Sequence, residues 1–390
     1  MSEVFRKPLG DVVTFQRGYD ITKKEQTPGP YPVISSGGVA SCHAEFRDEG
    51  PGVVIGRKGS LGGVYWSEGP YWPHDTTLWV RDFKGNDPRY VYYFLQTLGL
   101  ERFDAGASNP TLNRNHLHLL EVAVLHRKSQ TAVADVLRTF DRLIENNRQR
   151  IEILEEMARL IYREWFVHFR FPGHEDVELV DSDLGPIPEG WDVAPASLVF
   201  EINPRERVNK AVEHNFITMA DLSESSMVCL PSELKAGNSG AKFRNGDTLF
   251  ARITPCLENG KTGFVACLDK GEVARGSTEF IVLRGAKVGP EFTYLTAREE
   301  RLRQNAIKSM TGASGRQRVR NECFDSHLLV FPTPQVEEAF REVVEPMFEL
   351  VFSLARQNTV LSEARDLLLP RIISGELDVS DLNLDLEPVA

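Results

Sequence analysis

KSQTAVADVLRTFDRLIENNRQRIEILEEMARLIYREWFVHF, residues 128–169, contains neither proline nor glycine and reads as one unbroken helix. Its apolar residues recur at alternating steps of four and three: Val133, Leu137, Phe140, Ile144, then polar Asn147, then Ile151, Leu154, Ala158, Ile161 and Trp165. That is the seam of a coiled coil sustained over more than four heptads. At a rise of roughly 1.5 Å per residue such a helix reaches about 60 Å. Seven basic and seven acidic residues between Lys128 and Glu164 balance each other, as on a solvated face. Asn147 in the seam would fix the register at some cost in stability.

The pattern occurs twice. Val336, Phe340, Val343, Met347, Leu350, Leu354, Gln357, Leu361, Ala364 and Leu368 repeat the same steps, with Gln357 where Asn147 fell. Pro346 lies inside this second stripe, which predicts a kink there or a regular helix beginning only at Met347. Two such stripes in one chain can bury each other as an antiparallel pair. A chain with two long struts is expected to carry twice whatever the struts hold.

Length and composition set the outer bounds. The chain has 390 residues, 41% hydrophobic and 26% charged, which predicts two to three soluble globular domains. No apolar run is long enough for a membrane span, and the N-terminus has no signal-peptide core, so a cytoplasmic protein is expected. Five cysteines without CxxC spacing argue against a zinc site or a disulfide frame. The net charge of −11 opposes nucleic-acid binding by the molecule as a whole, so local basic clusters have to decide that question.

Each half has the same order of parts. In the first, a strand at 10–16, a turn-rich stretch at 28–38 and a strand at 53–57 feed the glycine-rich basic turn Gly56–Gly63, and another strand spans 76–80. Asp87-Pro88 then starts a helix to Phe103, and a polar loop at 106–114 leads to a strand near Leu120–Leu125 and the first strut. A linker with GPIPEGW (185–191) follows. In the second half, strands at 247–251 and 279–283, the turn RITPCLENGK (252–261), a helix from Pro290 to about Ile307, the loop GASGRQRVR (312–320) and a strand at 328–331 precede the second strut. Aligned without gaps, 106–126 and 312–332 share six identities, among them Arg114/Arg320 and Asn115/Asn321. The shared order points to a tandem duplication.

Three groups of side chains carry the chemistry. Arg57, Lys58 and Ser60 lie on the glycine-rich turn, which lacks the GxxxxGK[ST] of a phosphate loop. It is either a hairpin turn with solvated cations or a turn whose backbone approaches a phosphate. Arg316, Arg318 and Arg320, after Ser314 in a tight loop, alternate on an extended segment with Gln317 between them. The three arginines would point to one side and, with Gln317, bind base edges, or form a surface salt-bridge ladder. Asn109, Asn113 and Arg114 hold the corresponding place in the first half, and Arg252 and Lys261 end the second basic turn. His116 and His118 resemble a metal pair on a strand, with no third ligand nearby, and a structural role is favoured. Asp87-Pro88-Arg89-Tyr90 resembles the base-holding loop of amino-methyltransferases but lacks its second proline, and no cofactor loop accompanies it. No catalytic, metal or cofactor site is expected in the chain.

These strings in this order resemble the specificity subunits of type I restriction–modification enzymes. GDVVTFQRG (10–18), IGRKGSLGGVYW (55–66) and SNPTLNR (108–114) look like one recognition domain of that family. FRFPGHE (169–175) with GPIPEGW, then INPRERV (202–208), MADL (219–222), LFARITPCLENGK (249–261) and TGASGRQRV (311–319), look like the second. RIISGEL (371–377) resembles the terminal segment. The Pro-rich, Glu-Gln start usual for each long helix is eroded here.

The resemblance implies an α+β fold: two tandem mixed α/β target-recognition domains separated by two long antiparallel coiled-coil helices, an internal pseudo-repeat. It places the domains at 1–127 and 191–333, the struts at 128–169 and 335–376, a linker at 170–190 and an acidic tail at 377–390. Each domain would bind one half of a bipartite double-stranded DNA target. Two modification subunits would dock on the helices and bring S-adenosylmethionine, and restriction subunits would bring ATP and Mg. The alternatives are a stand-alone DNA amino-methyltransferase and a coiled-coil adaptor that binds only protein.

Overall fold

A computed structural model describes residues 3–104, 111–313 and 315–379. Two compact units emerge: Met1–Ile144 with Thr359–Ala390, and Glu145–Asn358. Each combines small, mainly antiparallel sheets with helices, an α+β architecture, and the two repeat one topology. In the first unit the main sheet has the order Thr14–Arg17, Thr77–Asp82, Gly52–Gly56, Val64–Ser67. In the second it is Phe200–Ile202, Phe280–Gly285, Thr248–Ala251, Thr262–Phe264, again all antiparallel. A second small sheet in each holds one parallel pair, Tyr31–Ser35 with Trp72–Pro73 and His214–Ile217 with Ala274–Gly276.

Matching backbone hydrogen bonds fix the equivalence of the two units. Leu9 N donates to Leu120 O as Ala196 N donates to His327 O, each at 2.8 Å. Leu112 N donates to Arg57 O at 2.9 Å, and Val319 N to Arg252 O at 2.8 Å. Asp87 N donates to Gln130 Oε1, and Gly289 N to Glu337 Oε1. Leu112 therefore corresponds to Val319 and Asn113 to Arg320, one residue away from the gapless alignment of 106–126 with 312–332. Arg114/Arg320 and Asn115/Asn321 are not equivalent positions. The duplication rests on shared topology, not on those identities.

The first long helix runs Arg127–Tyr162 and closes with a π-helical turn, Arg163–Val167. Such turns carry one residue more than the α-repeat, which re-aims the side chains that follow. Here Phe166 stacks edge-on against Phe292 at 4.8 Å and Phe340 at 4.7 Å. The second long helix runs Pro334–Ile373, so Pro346 neither ends it nor delays its start. Within each unit the two helices are antiparallel. Asp141 pairs with Arg365 at 2.7 Å in the first unit, and Asn147 donates to Asn358 at 3.0 Å in the second. Gln357 lies more distant from Asn147, at 3.5 Å, and is itself exposed.

The buried face of the second helix differs from the expected seam. Val343 and Leu350 are exposed, whereas Phe340, Val344, Phe348, Val351, Phe352 and Ala355 are buried. The reason is the partner surface. Phe348 and Phe352 pack on Phe264 of the main sheet, so the helix presents a wide 3.6-residue face instead of a narrow heptad stripe. Two predicted helices also break. The first stops at Gln96 and resumes as a 3-10 turn, Leu100–Phe103, after Gly99 at φ 58°. The other divides into Pro290–Arg298 and Glu300–Lys308 around extended Glu299. Among the described residues no helix is long and apolar enough to cross a membrane.

Candidate nucleic-acid interface

Arg57 follows directly on the strand Gly52–Gly56, and Arg252 directly on its counterpart Thr248–Ala251. The backbone of each is bonded on both sides. Arg57 N donates to Thr76 O and Arg252 N to Glu279 O, while the Leu112 and Val319 amides close onto their carbonyls. The glycine-rich turn is a hairpin turn, with Gly56 N donating to Gly63 O at 2.8 Å. A Cβ on Gly56 would lie 2.2 Å from Ser60 O, so only glycine lets the two arms of the turn close. Lys58 and Ser60 are exposed on this turn, whereas Arg57 is half-buried.

Both arginines line cavities. That in the first unit, about 390 Å³, is lined among others by Arg17, Arg57, Thr111, Asn113 and Arg114. Its counterpart in the second, about 590 Å³, gathers Asn203, Arg205, Arg207, Lys242 and Arg252 beside one acid, Glu206. Arg57 Nη1 and Arg252 Nε are buried with no hydrogen-bond partner among the described residues. Arg252 Nη2 donates to Val319 O at 2.8 Å. Burial and nearby Arg17 both lower the Arg57 pKa. A buried donor without a partner costs free energy, and an incoming acceptor relieves that cost. Each unit thus presents a basic, donor-rich hollow at the same end of its main sheet, on a chain that is acidic overall.

The other candidates divide. Asn113 and Arg114 join Arg57 in the first cavity; Asn113 caps the helix Arg114–His118 by accepting from Asn115 N at 2.9 Å. Asn109 and Ser314 lie outside the described residues. Lys261 donates through Nζ to Met219 O at 2.9 Å, which makes it a loop tie away from the cavity.

The segment 315–320 forms isolated bridges at Arg318, to Ile253 and Thr311, and no regular strand. Arg318 forks onto Glu279 at 2.7–3.0 Å, and Arg320 donates to Thr311 Oγ1 at 3.2 Å. Gln317 accepts from Thr254 through its carbonyl, and Arg316 is exposed. His116 and His118 sit on a helix, and His118 Nε2 accepts from Phe15 N at 3.0 Å, a structural contact. Asp20, His74 and Asp75 come within metal-binding distance of one another, but Arg17 at 2.9 Å and Lys58 at 3.9 Å already balance Asp75.

Sequence reasoning missed Arg17, Arg205, Arg207 and Lys242. Arg17, Arg205 and Arg207 stand inside the motif strings GDVVTFQRG and INPRERV, where the signal was available. Lys242 had none.

A chain that builds one α+β unit twice, each with an arginine cavity and a long helix, belongs to the class of tandem two-unit scaffolds. Residues 1–156 match the family model of the type I restriction modification DNA specificity domain. The type I restriction enzyme MjaIX specificity subunit of Methanocaldococcus jannaschii is 22% identical, covering 93% of this chain and 87% of that one. The EcoEI specificity subunit of Escherichia coli is 28% identical over 49% of this chain and 33% of its own length. The crystal structure of the type I restriction–modification S subunit from M. genitalium shares the fold, with a TM-score of 0.60 at 14% identity, covering 95% and 96% of the two chains. Over most of its length the chain is similar to specificity subunits of type I restriction–modification enzymes.

Proposed function

We propose that each unit reads one half of a bipartite double-stranded DNA target for a type I restriction–modification complex. The recognition domains would span 1–127 and 191–333, with the arginine cavities against the duplex. The observation that carries this reading is the pair of equivalent arginines, Arg57 and Arg252, each with an unpartnered buried guanidinium nitrogen inside a basic hollow. Arginine binds phosphate and guanine in bidentate fashion, so either acceptor would complete it. The chain acts as the non-catalytic reader, while two modification subunits bring S-adenosylmethionine and restriction subunits bring ATP and Mg. The long helices set the gap between half-sites and offer the docking face for the modification subunits.

Methylome sequencing of a host expressing this chain with its cognate modification subunit tests the reading. A split methylated motif that disappears when the chain is withdrawn is the expected result. Methyl transfer by the purified chain alone with S-adenosylmethionine would replace this reading with that of a stand-alone methyltransferase.

A further inference from the structure

The duplication permits one position-by-position comparison that the DNA reading does not use. In the first unit Trp66, on the strand Val64–Ser67, carries the Arg89 guanidinium over its ring at 3.9 Å. Glu68 pairs with Arg89 at 2.8 Å and with Arg138 of the first long helix at 3.0 Å. Aromatic floor, cation and carboxylate close on one another.

Strand pairing and the matched hydrogen bonds identify the counterparts. Trp66 faces Val53 as Phe264 faces Thr248, so Phe264 takes the place of Trp66 and Ala266 that of Glu68. Pro88 and Pro290 open equivalent helices, so Glu291 stands for Arg89. The Gln130/Glu337 correspondence carries along the long helices and puts Glu345 at the place of Arg138. Both cations of the first unit are carboxylates in the second, and the carboxylate that bridged them is an alanine.

The result is an open cavity of about 590 Å³, lined among others by Phe264, Glu291, Glu345, Phe348, Phe352 and Arg356. Glu291 is only 6% exposed, and its Oε2 is buried with no hydrogen-bond partner among the described residues. Burial pushes its pKa up to about 7; Glu345 and Glu337 push the same way, and Arg341 opposes. Arg356 does not neutralise the cluster. It donates to Ala266 O at 3.4 Å, and among the described residues it forms no ion pair with Glu291 or Glu345.

We propose that this cavity receives an arginine side chain from a protein partner, which supplies in trans the cation that Arg89 supplies in cis in the first unit. A phenylalanine floor with carboxylates at its edge suits a planar guanidinium, which stacks on the ring and donates outward to the acids. Naming the modification subunit as that partner rests on the function proposed above.

The test uses the full chain and N-acetyl-arginine amide as probe, read by saturation-transfer NMR, with N-acetyl-citrulline amide as its neutral isostere. The arginine probe should bind and the citrulline probe should not. The double variant Glu291→Gln/Glu345→Gln should weaken arginine binding at least about tenfold. The triple variant Ala266→Glu/Glu291→Arg/Glu345→Arg, which rebuilds the closed network of the first unit, should abolish it while keeping its melting temperature. Equal binding of both probes, or undiminished binding by both variants, overturns the cavity as a guanidinium site.

In a second arm the triple variant should assemble with the modification subunit at least about tenfold more weakly than wild type. Unchanged assembly overturns the partner assignment and leaves the guanidinium site standing. Failure of the wild-type chain to assemble at all would count against the proposed function, and the probe arm would still decide the cavity.

Discussion

Around Trp66 and around Phe264 one scaffold carries opposite charge. The first site is closed: Arg89 lies on an indole and shares Glu68 with Arg138. The second keeps the aromatic floor and the helix start but holds Glu291 buried without a partner. Strand pairing, helix starts and packing survive in both copies because they fix the fold. Side chains projecting from that frame are free to differ, and there the two copies acquire different partners. The arginine cavities show the converse. Arg57 and Arg252 stay the same where nearly every neighbour changes, as a common contact surrounded by variable ones would.

Four measurements break or sharpen this comparison. The largest effect is expected at Glu291. Its pKa is raised in the folded state, so the folded chain holds a proton that the unfolded chain releases. The cost is absent near pH 4, grows through the interval up to about pH 7, and is complete above it. Glu291→Gln should therefore stabilise the second unit by about 2–3 kcal/mol at pH 8, with the gain vanishing toward pH 4 in denaturant titrations. A gain independent of pH would mean that folding does not raise the Glu291 pKa.

Next come the equivalent arginines. Arg57→Ala and Arg252→Ala should each cost about 1–3 kcal/mol of DNA affinity in the assembled complex. Each loss should fall on the half-site of its own unit, seen as two different blurred halves in the methylome. If one variant is silent, the two cavities are not functional equivalents.

Third, Arg89→Ala should destabilise the first unit by about 1 kcal/mol, mainly through the cation–π contact on Trp66, because the Glu68 partner of its ion pair is exposed and screened. Thermal unfolding reads this directly, and a neutral result would remove the closed site as a template for the open one. The smallest effect is expected at Arg318. It is exposed and held by Glu279 rather than directed at a ligand. Arg318→Ala should change half-site discrimination less than about fivefold and less than Arg316→Ala does. A larger loss at Arg318 would show that Glu279 releases it on binding DNA.

The heptad stripe of Val133–Trp165, the proline-started helices and the ordered motif strings determined the two long helices, the duplicated α+β units and the resemblance to specificity subunits from sequence alone. Those signals are local, and periodicity survives without knowledge of what lies opposite. The places of Arg57 and Arg252, at the end of a strand and the start of a basic turn, were also legible.

What the other side chains touch was not legible. Arg316–Arg320 alternates as a strand would, yet the segment forms only isolated bridges at Arg318, and Glu279, 39 residues away, and Thr311 claim two of its arginines. The second long helix turns Val344 and Val351 inward in place of Val343 and Leu350, because the curved face of its own sheet decides which stripe is buried. The true correspondence of the two halves is shifted by one residue, which matched hydrogen bonds reveal and chance identities conceal. Whether a glutamate is a solvated charge or a buried carboxylate without a partner depends on the phenylalanines and carboxylates placed around it. Glu291 and Ala266 lie 25 positions apart in the chain, and only tertiary structure brings them to the same cavity.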